Sequence, residues 1–317
     1  MNRSVILCTF NRCQSLLEAL ESVAASELPD SVTWEVLVVD NNSTDNTRIV
    51  AEEFCRRHPN RFRYLFEPQQ GKSYALNAAI RAARGDIVAF TDDDVIVEPT
   101  WIRNLTAALE SNEWVGAGGR IRPERGFSFP SWLSLDGPYS MGGVVGLFDR
   151  GDKPAELDWA PYGANMAFRR EMFEKYGGFR TDIGPRPGSE IRGEDTEYGY
   201  RLMAAGERLR YEPSAIVYHK MPVNRISKDC FLAWWFGFGR TSARKWGRGP
   251  NILGISRRYL TIFKNVTATM VMIVPRWILA SKTQQRFFYK ALVWRKAGEI
   301  YEFYRLARGK DHKEGIG

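Results

Sequence analysis

Cysteine is scarce in this chain of 317 residues, and its pattern excludes two organising principles. Cys8, Cys13, Cys55 and Cys230 form no CxxC pair and follow no regular spacing, so neither a disulfide framework nor a thiolate zinc cluster is indicated. A reducing compartment fits. The N-terminus carries one short apolar run, residues 5–10, without the regions of a signal peptide, which predicts a cytoplasmic protein. No strongly apolar run reaches the roughly 20 residues that span a bilayer, so the chain is expected not to cross one. No period of 20–50 residues repeats, which argues against a solenoid. Gly71-Lys72-Ser73 lacks the glycine five positions earlier that a P-loop requires, because Phe66 stands there.

What is present describes a folded protein with an uneven charge. A 44% hydrophobic and 26% charged composition belongs to a globular chain, long enough for one large or two smaller domains. Residues 221–317 hold 19 Lys+Arg against 5 Asp+Glu, whereas residues 1–220 hold 26 against 32. The net charge of +8 is therefore a property of the tail. A basic, aromatic-rich tail on a mildly acidic body suggests an anionic surface as partner, membrane or nucleic acid.

Residues 1–118 alternate short β-like runs (5–9, 35–39, 63–66, 87–91 and 114–118) with amphipathic stretches (15–25, 44–58, 73–83 and 99–112), which predicts a mainly parallel sheet covered by helices. Thr44 and Asp45 supply capping chemistry, and Pro99 suits a first helical turn. Residues 119–161 break into glycine, proline and aromatics, the composition of a functional loop. Helices are then predicted near 169–175 and 196–205, separated by a Gly/Pro loop at 177–193, and a strand near 215–218.

Asp92, Asp93 and Asp94 follow the apolar run 87–91. Adjacent carboxylates are costly to ionise together unless a cation sits among them, and hard divalent ions such as Mg²⁺ and Mn²⁺ prefer oxygen ligands. The alternative is an acidic turn. Ligands of open α/β sheets gather at the carboxyl ends of strands, where Thr9, Arg12 and Asp40 also fall. Lys72 opens a predicted helix, a position that attracts phosphate. Glu194 and Asp195 precede another helix, either as capping carboxylates or, with a metal at Asp94, as source of a general base. His219 ends the strand-like run 215–218.

The segments VILCTFNR (5–12), LVVDNNSTDNT (37–47), GKSYALNAAI (71–80), FTDDDV (90–95), GANMAF (163–168), GEDTEYGYRL (193–202) and YEPSAIVYH (211–219) together resemble a family 2 glycosyltransferase of the GT-A fold, over roughly residues 1–220. The resemblance implies an inverting, metal-dependent enzyme using a nucleotide sugar, UDP being the carrier by family habit. Thr9, Asn11, Arg12 and Asp40 would hold base and ribose, with Lys72 nearby. Asp92 and Asp94 would form the metal-binding DxD motif, Asp93 supporting the ribose or the loop. Asp195 would be the catalytic base, with Glu194 beside it, and His219 a third metal ligand. Residues 1–118 would then bind the donor, and residues 119–220 the acceptor, in one domain. The competing classes are a nucleotidyltransferase of related fold, a catalytically silent sugar-nucleotide module, and a nucleic-acid-binding protein; the last leaves the acidic clusters unexplained.

In the tail, Trp234, Trp235, Trp246 and Trp277 are mixed with Lys and Arg, as in interfacial helices. Residues 225–305 are expected to dock peripherally on the inner face of a membrane, near a lipid-linked or growing glycan acceptor. The alternative is a basic helical subdomain that packs on the body. Arg244-Lys245-Trp246 resembles the arginine-tryptophan element of processive synthases, but the preceding glutamine pattern is missing, and processivity is not inferred.

Overall fold

The computed structural model describes residues 1–189, 191–222, 225–246 and 257–308. The chain divides into two compact units. A sheet unit comprises Met1–Phe127, Gly146–Pro187 and Glu194–Met221. A helical unit comprises Ser128–Val145, Gly188–Gly193 and Pro222–Gly317.

The sheet unit begins as the periodicity predicts, with β1 (Arg3–Thr9), α1 (Cys13–Ala24), β2 (Trp34–Asp40), α2 (Thr47–Arg57), β3 (Phe62–Phe66), α3 (Lys72–Ala82) and β4 (Ile87–Asp92), then adds a short strand that the periodicity does not predict, β5 (Val95–Val97), before α4 (Trp101–Ala107). Residues 5–7 of β1, 36–39 of β2 and 87–90 of β4 are at most 1% exposed, as expected of strands covered on both faces. Helix α1 turns Leu16, Ala19, Leu20 and Val23 inward, the spacing of one helical face. Two start signals shift. Helix α2 begins at Thr47, and the Asp45 carboxylate accepts the Thr47 N–H at 2.9 Å. Helix α4 begins two residues after Pro99.

The second half supplies β6 (Gly116–Pro123), β7 (Ala155–Glu156), β8 (Met166–Arg169), α5 (Glu171–Tyr176), α6 (Glu194–Ala204) and β9 (Leu209–His219). The sheet runs β3-β2-β1-β4-β8-β6-β9-β5, with β7 on β9. Strands β1 to β4 pair in parallel. Strand β8 is antiparallel to both β4 and β6, and β9 is parallel to β6. Two reversals restore direction, so β9 ends at the same edge of the sheet as β1, β2 and β4. Strand β9 bulges against β6 between Gly119 and Arg120. The bulge is filled by Asn165, fully buried, whose amide donates to Arg120 O (3.0 Å) and Ala215 O (2.8 Å) and accepts from the Trp101 indole (2.8 Å).

In the helical unit, α7 (Lys228–Trp246) and α10 (Thr283–Ala307) lie so close that a Cβ on Gly298 would sit 2.0 Å from Phe236 O, and one on Gly239 1.9 Å from Arg295 O. Glycine is the only residue that admits this approach. Glu302 is fully buried between α7 and α10 and accepts from Arg240 and Arg244, each Nε at 2.7 Å. Arg244, the residue that resembled the processive element, is thus engaged in an internal ion pair. A helix α8 (Arg257–Ala268), a π-helical turn (Thr269–Ile273) and α9 (Val274–Leu279) run on without a break.

Here the structure corrects the expectation about span length. Tyr259–Leu279 forms 21 continuous helical residues, long and apolar enough to cross a bilayer by length and composition. Read linearly, Thr, Asn and Lys interrupt the run; on the helix, Asn265 and Thr269 turn to one buried side, and the exposed residues are apolar apart from Lys264, Thr267 and Arg276. Residues 247–256 of the expected membrane-docking segment lie outside the described residues.

Candidate active site

Strands β1, β2, β4 and β9 end on Thr9, Asp40, Asp92 and His219, four of the residues singled out in the sequence. The register puts Thr9 beside Asp40 and Cys8 beside Asp92. All the sequence-predicted site residues belong to the sheet unit; Arg12, Asp93, Asp94 and His219 meet in one group and Lys72 with Asp92 in another, while Asp40 and Asn11 bond to the loops beside them.

Asp40, 1% exposed, accepts from the Tyr64 hydroxyl and the Ser43 N–H, both at 3.0 Å. Burial and this carboxylate push the Tyr64 phenol up. Asn11 takes a left-handed φ of 52°, a region Asn tolerates. Its carboxamide oxygen accepts from the Thr44 N–H at 2.7 Å, joining the loops after β1 and β2. Asn41, passed over in the sequence reading, accepts from Gly71 N–H (2.7 Å) and donates to Gln69 O (2.8 Å), so it sets the approach to α3. Its signal was adjacency to Asp40 at a strand end.

Two cations enter the acidic cluster. Lys72 Nζ lies 2.5 Å from Asp92 Oδ1. Burial lowers the lysine pKa, but the charges of Asp92, Glu194 and Asp195 outweigh it and hold the ammonium form well above its usual range. Arg12 pairs with Asp94 and stands 3.7 Å from Asp93. His219 Nε2 is 3.4 Å from Asp94 Oδ1. Burial raises the pKa of Asp94, yet the imidazole and the guanidinium prevail and hold it below the usual carboxylate range. Asp93 moves the other way, raised by burial and by the charge of Asp94.

Asp195, the second residue of α6, is held by more than its own helix. Its Oδ2 accepts the Gly163 N–H at 2.7 Å and its Oδ1 the Thr196 N–H at 2.7 Å. A single point, where a Cβ on Gly163 would stand, lies 3.2 Å from Asp195 Oδ2 and 3.6 Å from Lys72 Nζ. The carboxylate of residue 195 therefore faces the Lys72–Asp92 pair across a short gap beside Gly163. Glu194 is buried behind it, and burial with the charge of Asp195 pushes its carboxyl up to about 7. Asn165, two residues from Gly163, is fully buried as the filler of the β6–β9 bulge.

The donor set fits a hard divalent ion. Asp94 and His219 present oxygen and nitrogen within reach of each other, with Asp92 two residues before Asp94 on the strand end and paired with Lys72. Among the described residues no three His, Cys, Asp or Glu side chains close around one point. Ions that work on phosphates take one or two protein carboxylates and complete their shell with the substrate and water.

The model of glycosyl transferase family 2 matches residues 4–177, the half of the chain that carries Thr9 through Asp94 and Gly163. The chain belongs to this family. The glycosyltransferase is 30% identical over 256 residues, 76% of each chain, to glucosyl-dolichyl phosphate glucuronosyltransferase of Haloferax volcanii. It is 29% identical over 232 residues to the succinoglycan biosynthesis protein ExoM of Rhizobium meliloti, covering 72% of this chain and 68% of that one. Among solved structures, a mannosyltransferase of Pyrobaculum calidifontis in complex with GDP-Man and Mn²⁺ superposes with a TM-score of 0.63 at 20% identity, over 97% of this chain and 87% of the other. That likeness establishes the GT-A fold. The nucleotidyltransferase and nucleic-acid readings give way to a glycosyltransferase.

Proposed function

We propose that this enzyme is inverting and metal-dependent, moving a sugar from a nucleoside diphosphate donor, UDP-linked in the first instance, to a hydroxyl of a lipid-linked or polysaccharide acceptor. The observation that carries the reading is Asp195, anchored on the Gly163 N–H and facing the Lys72–Asp92 pair. Thr9, Asn11, Arg12 and Asp40 line the strand ends where base and ribose would lie. Asp93 would steady the loop, and Lys72 at the α3 N-terminus meets phosphate charge. A Mn²⁺ or Mg²⁺ held by Asp94, with Asp92 and His219, would neutralise the charge that develops on the departing diphosphate. Asp195 takes the proton of the acceptor hydroxyl as its oxygen bonds to the anomeric carbon and the bond to the diphosphate breaks. One displacement inverts the configuration.

The glucuronosyltransferase relative is named for a dolichyl phosphate acceptor and ExoM for succinoglycan biosynthesis, which supports a lipid-linked or polymeric acceptor here. Residues 225–305 would keep the enzyme peripherally on the inner face of the membrane. A thermal-shift panel of nucleotide sugars with and without Mn²⁺ tests the donor and metal together, since a ligand that binds the native state raises its melting temperature. One nucleotide sugar should stabilise the protein in a Mn²⁺-dependent way. Stabilisation by none of them, or equal stabilisation in chelator, would overturn the reading.

A further inference from the structure

The helical stretch Tyr259–Leu279 is built inside out. Its only buried residues are polar: Asn265, 9% exposed, and Thr269, 7%. Asn265 donates to Glu299 of α10 at 3.0 Å, and Thr269 donates to Asn265 O at 2.6 Å. Its solvent side carries Phe263 (73% exposed), Met270 (62%), Val271 (67%), Ile278 (64%) and Leu279 (81%). A helix on a water-soluble body turns its apolar stripe to the core and its polar residues out. Contiguous exposed apolar surface marks an interaction site.

We infer that this helix lies in the plane of an anionic lipid leaflet, its outer face in the hydrocarbon, and does not cross the bilayer. The inference rests on the membrane reading above and specifies the surface and its mode. Length alone permits crossing, because 21 residues rise roughly 31 Å. The partner helix forbids it. Asn265 meets Glu299 and Lys296 near the end of α10, while Leu279 is followed within four residues by the α10 start at Thr283, so the two run antiparallel as a hairpin. Crossing would draw Arg286, Lys290, Arg295, Lys296 and Glu299 of α10 into hydrocarbon, where charged side chains are strongly disfavoured. Lying flat leaves α10 on the watery side.

Charge selects the lipid. Of the acids in α7 to α10, Glu299 and Glu302 are buried in ion pairs and only Asp229 is exposed. Lys264, Arg276, Lys282 and Arg286 are exposed. At the α9–α10 corner a cleft of about 420 Å³ is lined by Lys228, Arg286 and Lys290 together with Trp277, Ile278 and Phe287. Three cations over an apolar floor suit a phospholipid phosphate with its acyl chain below, and the indole of Trp277 suits the headgroup level.

The test uses the full chain with phosphatidylcholine vesicles, with and without phosphatidylglycerol. Wild type should co-sediment with the anionic vesicles. The triple variant Phe263→Ser, Val271→Asn, Leu279→Ser should bind at least about tenfold more weakly. Lys228→Gln with Arg286→Gln and Lys290→Gln should abolish the preference for anionic lipid. In a background with Cys13→Ser and Cys230→Ser, a membrane-impermeant maleimide added outside should label both Ser281→Cys and Arg308→Cys, at the two ends of α10, on bound vesicles. Unchanged binding by the apolar triple variant, or labelling at one end only, would overturn the inference. So would a wild-type dimer indifferent to vesicles that the triple variant dissociates, since a second copy would then cover the face. Nucleotide-sugar binding and turnover by the triple variant in free solution keep the two readings apart: lost vesicle binding with intact turnover leaves the catalytic reading standing.

Discussion

Replacing Asp195 by Asn probes the catalytic reading at its centre, and the structure says what else the change disturbs. Both carboxylate oxygens accept a backbone N–H, from Gly163 and Thr196 at 2.7 Å each. A carboxamide has one acceptor and one NH₂, so in either orientation a donor faces a donor. The group is half-buried, which puts the cost at the low end of the range for an unsatisfied polar group, about 1 kcal/mol. The melting temperature should fall by ~2–4 °C, the shift such a cost produces in a domain of this size. Loss of a general base should lower transfer by about 10²–10⁴-fold, which corresponds to ~3–5 kcal/mol at the transition state. The kinetic effect thus exceeds the structural one and cannot be its by-product. Transfer is followed as nucleoside diphosphate released in the presence of acceptor, and donor affinity by calorimetry. Donor affinity should stay within about threefold, because in the proposed mechanism Asp195 acts on the acceptor hydroxyl and not on the donor. Turnover retained within tenfold of wild type would remove Asp195 from the proton transfer.

Asp94→Ala should abolish Mn²⁺-dependent donor binding, and a calorimetric titration that matches wild type would take the metal away from Asp94. Asn165→Leu strands the Trp101 indole and the carbonyls of Arg120 and Ala215; at about 1–3 kcal/mol for each unsatisfied group, urea unfolding should show a loss of at least ~3 kcal/mol. Gly298→Ala drives a methyl to 2.0 Å from Phe236 O, and separating α7 from α10 should cost ~1–3 kcal/mol or more, read as a lower melting temperature of the helical unit. Glu35 is held below the usual carboxylate range: burial opposes ionisation, but the Arg63 guanidinium, the Arg84 N–H and the Ser4 hydroxyl prevail. Its folded pKa being depressed, it stabilises the protein above about pH 4.5 and that contribution is lost as pH falls below it. Glu35→Gln should be less stable at pH 7 and should lose less on acidification than wild type, as followed by circular dichroism.

The first half of the fold was legible because parallel, doubly covered strands read as unbroken apolar runs that stop where the ligand edge begins. Residues 36–39 stop at Asp40 and residues 87–90 just before Thr91 and Asp92. Strand β8 was not legible. Four residues, Met166–Arg169, carry too little pattern to announce a strand, let alone one that reverses the sheet between β4 and β6. The bulge at Gly119 and its filling by Asn165 depend on residues 46 positions apart in sequence, and no local signal links them. The outer face of Tyr259–Leu279 escaped a linear reading because hydropathy along the chain averages over the helix circumference. Which side is buried appears only once α10 is in place beside it.

The two acidic clusters of the chain follow one electrostatic rule to opposite ends. In the helical unit, Glu302 is matched by Arg240 and Arg244, with Arg305 at 3.9 Å, and Glu299 by Arg295 and Lys296. Positive charge there exceeds negative, so the surplus faces outward and favours anionic surfaces. At the sheet edge the balance is reversed. Asp92, Asp93, Asp94, Glu194 and Asp195 are met by Arg12 and Lys72, with His219 against Asp94. A diphosphate approaching such a site is repelled unless further positive charge arrives with it. The fixed cations are fewer than the carboxylates, and the carboxyls of Asp93 and Glu194 are raised first by burial and then by the charges of Asp94 and Asp195. On the proposed reading, a divalent ion held at Asp94 would supply the missing charge, with Lys72 kept on Asp92 beside Asp195.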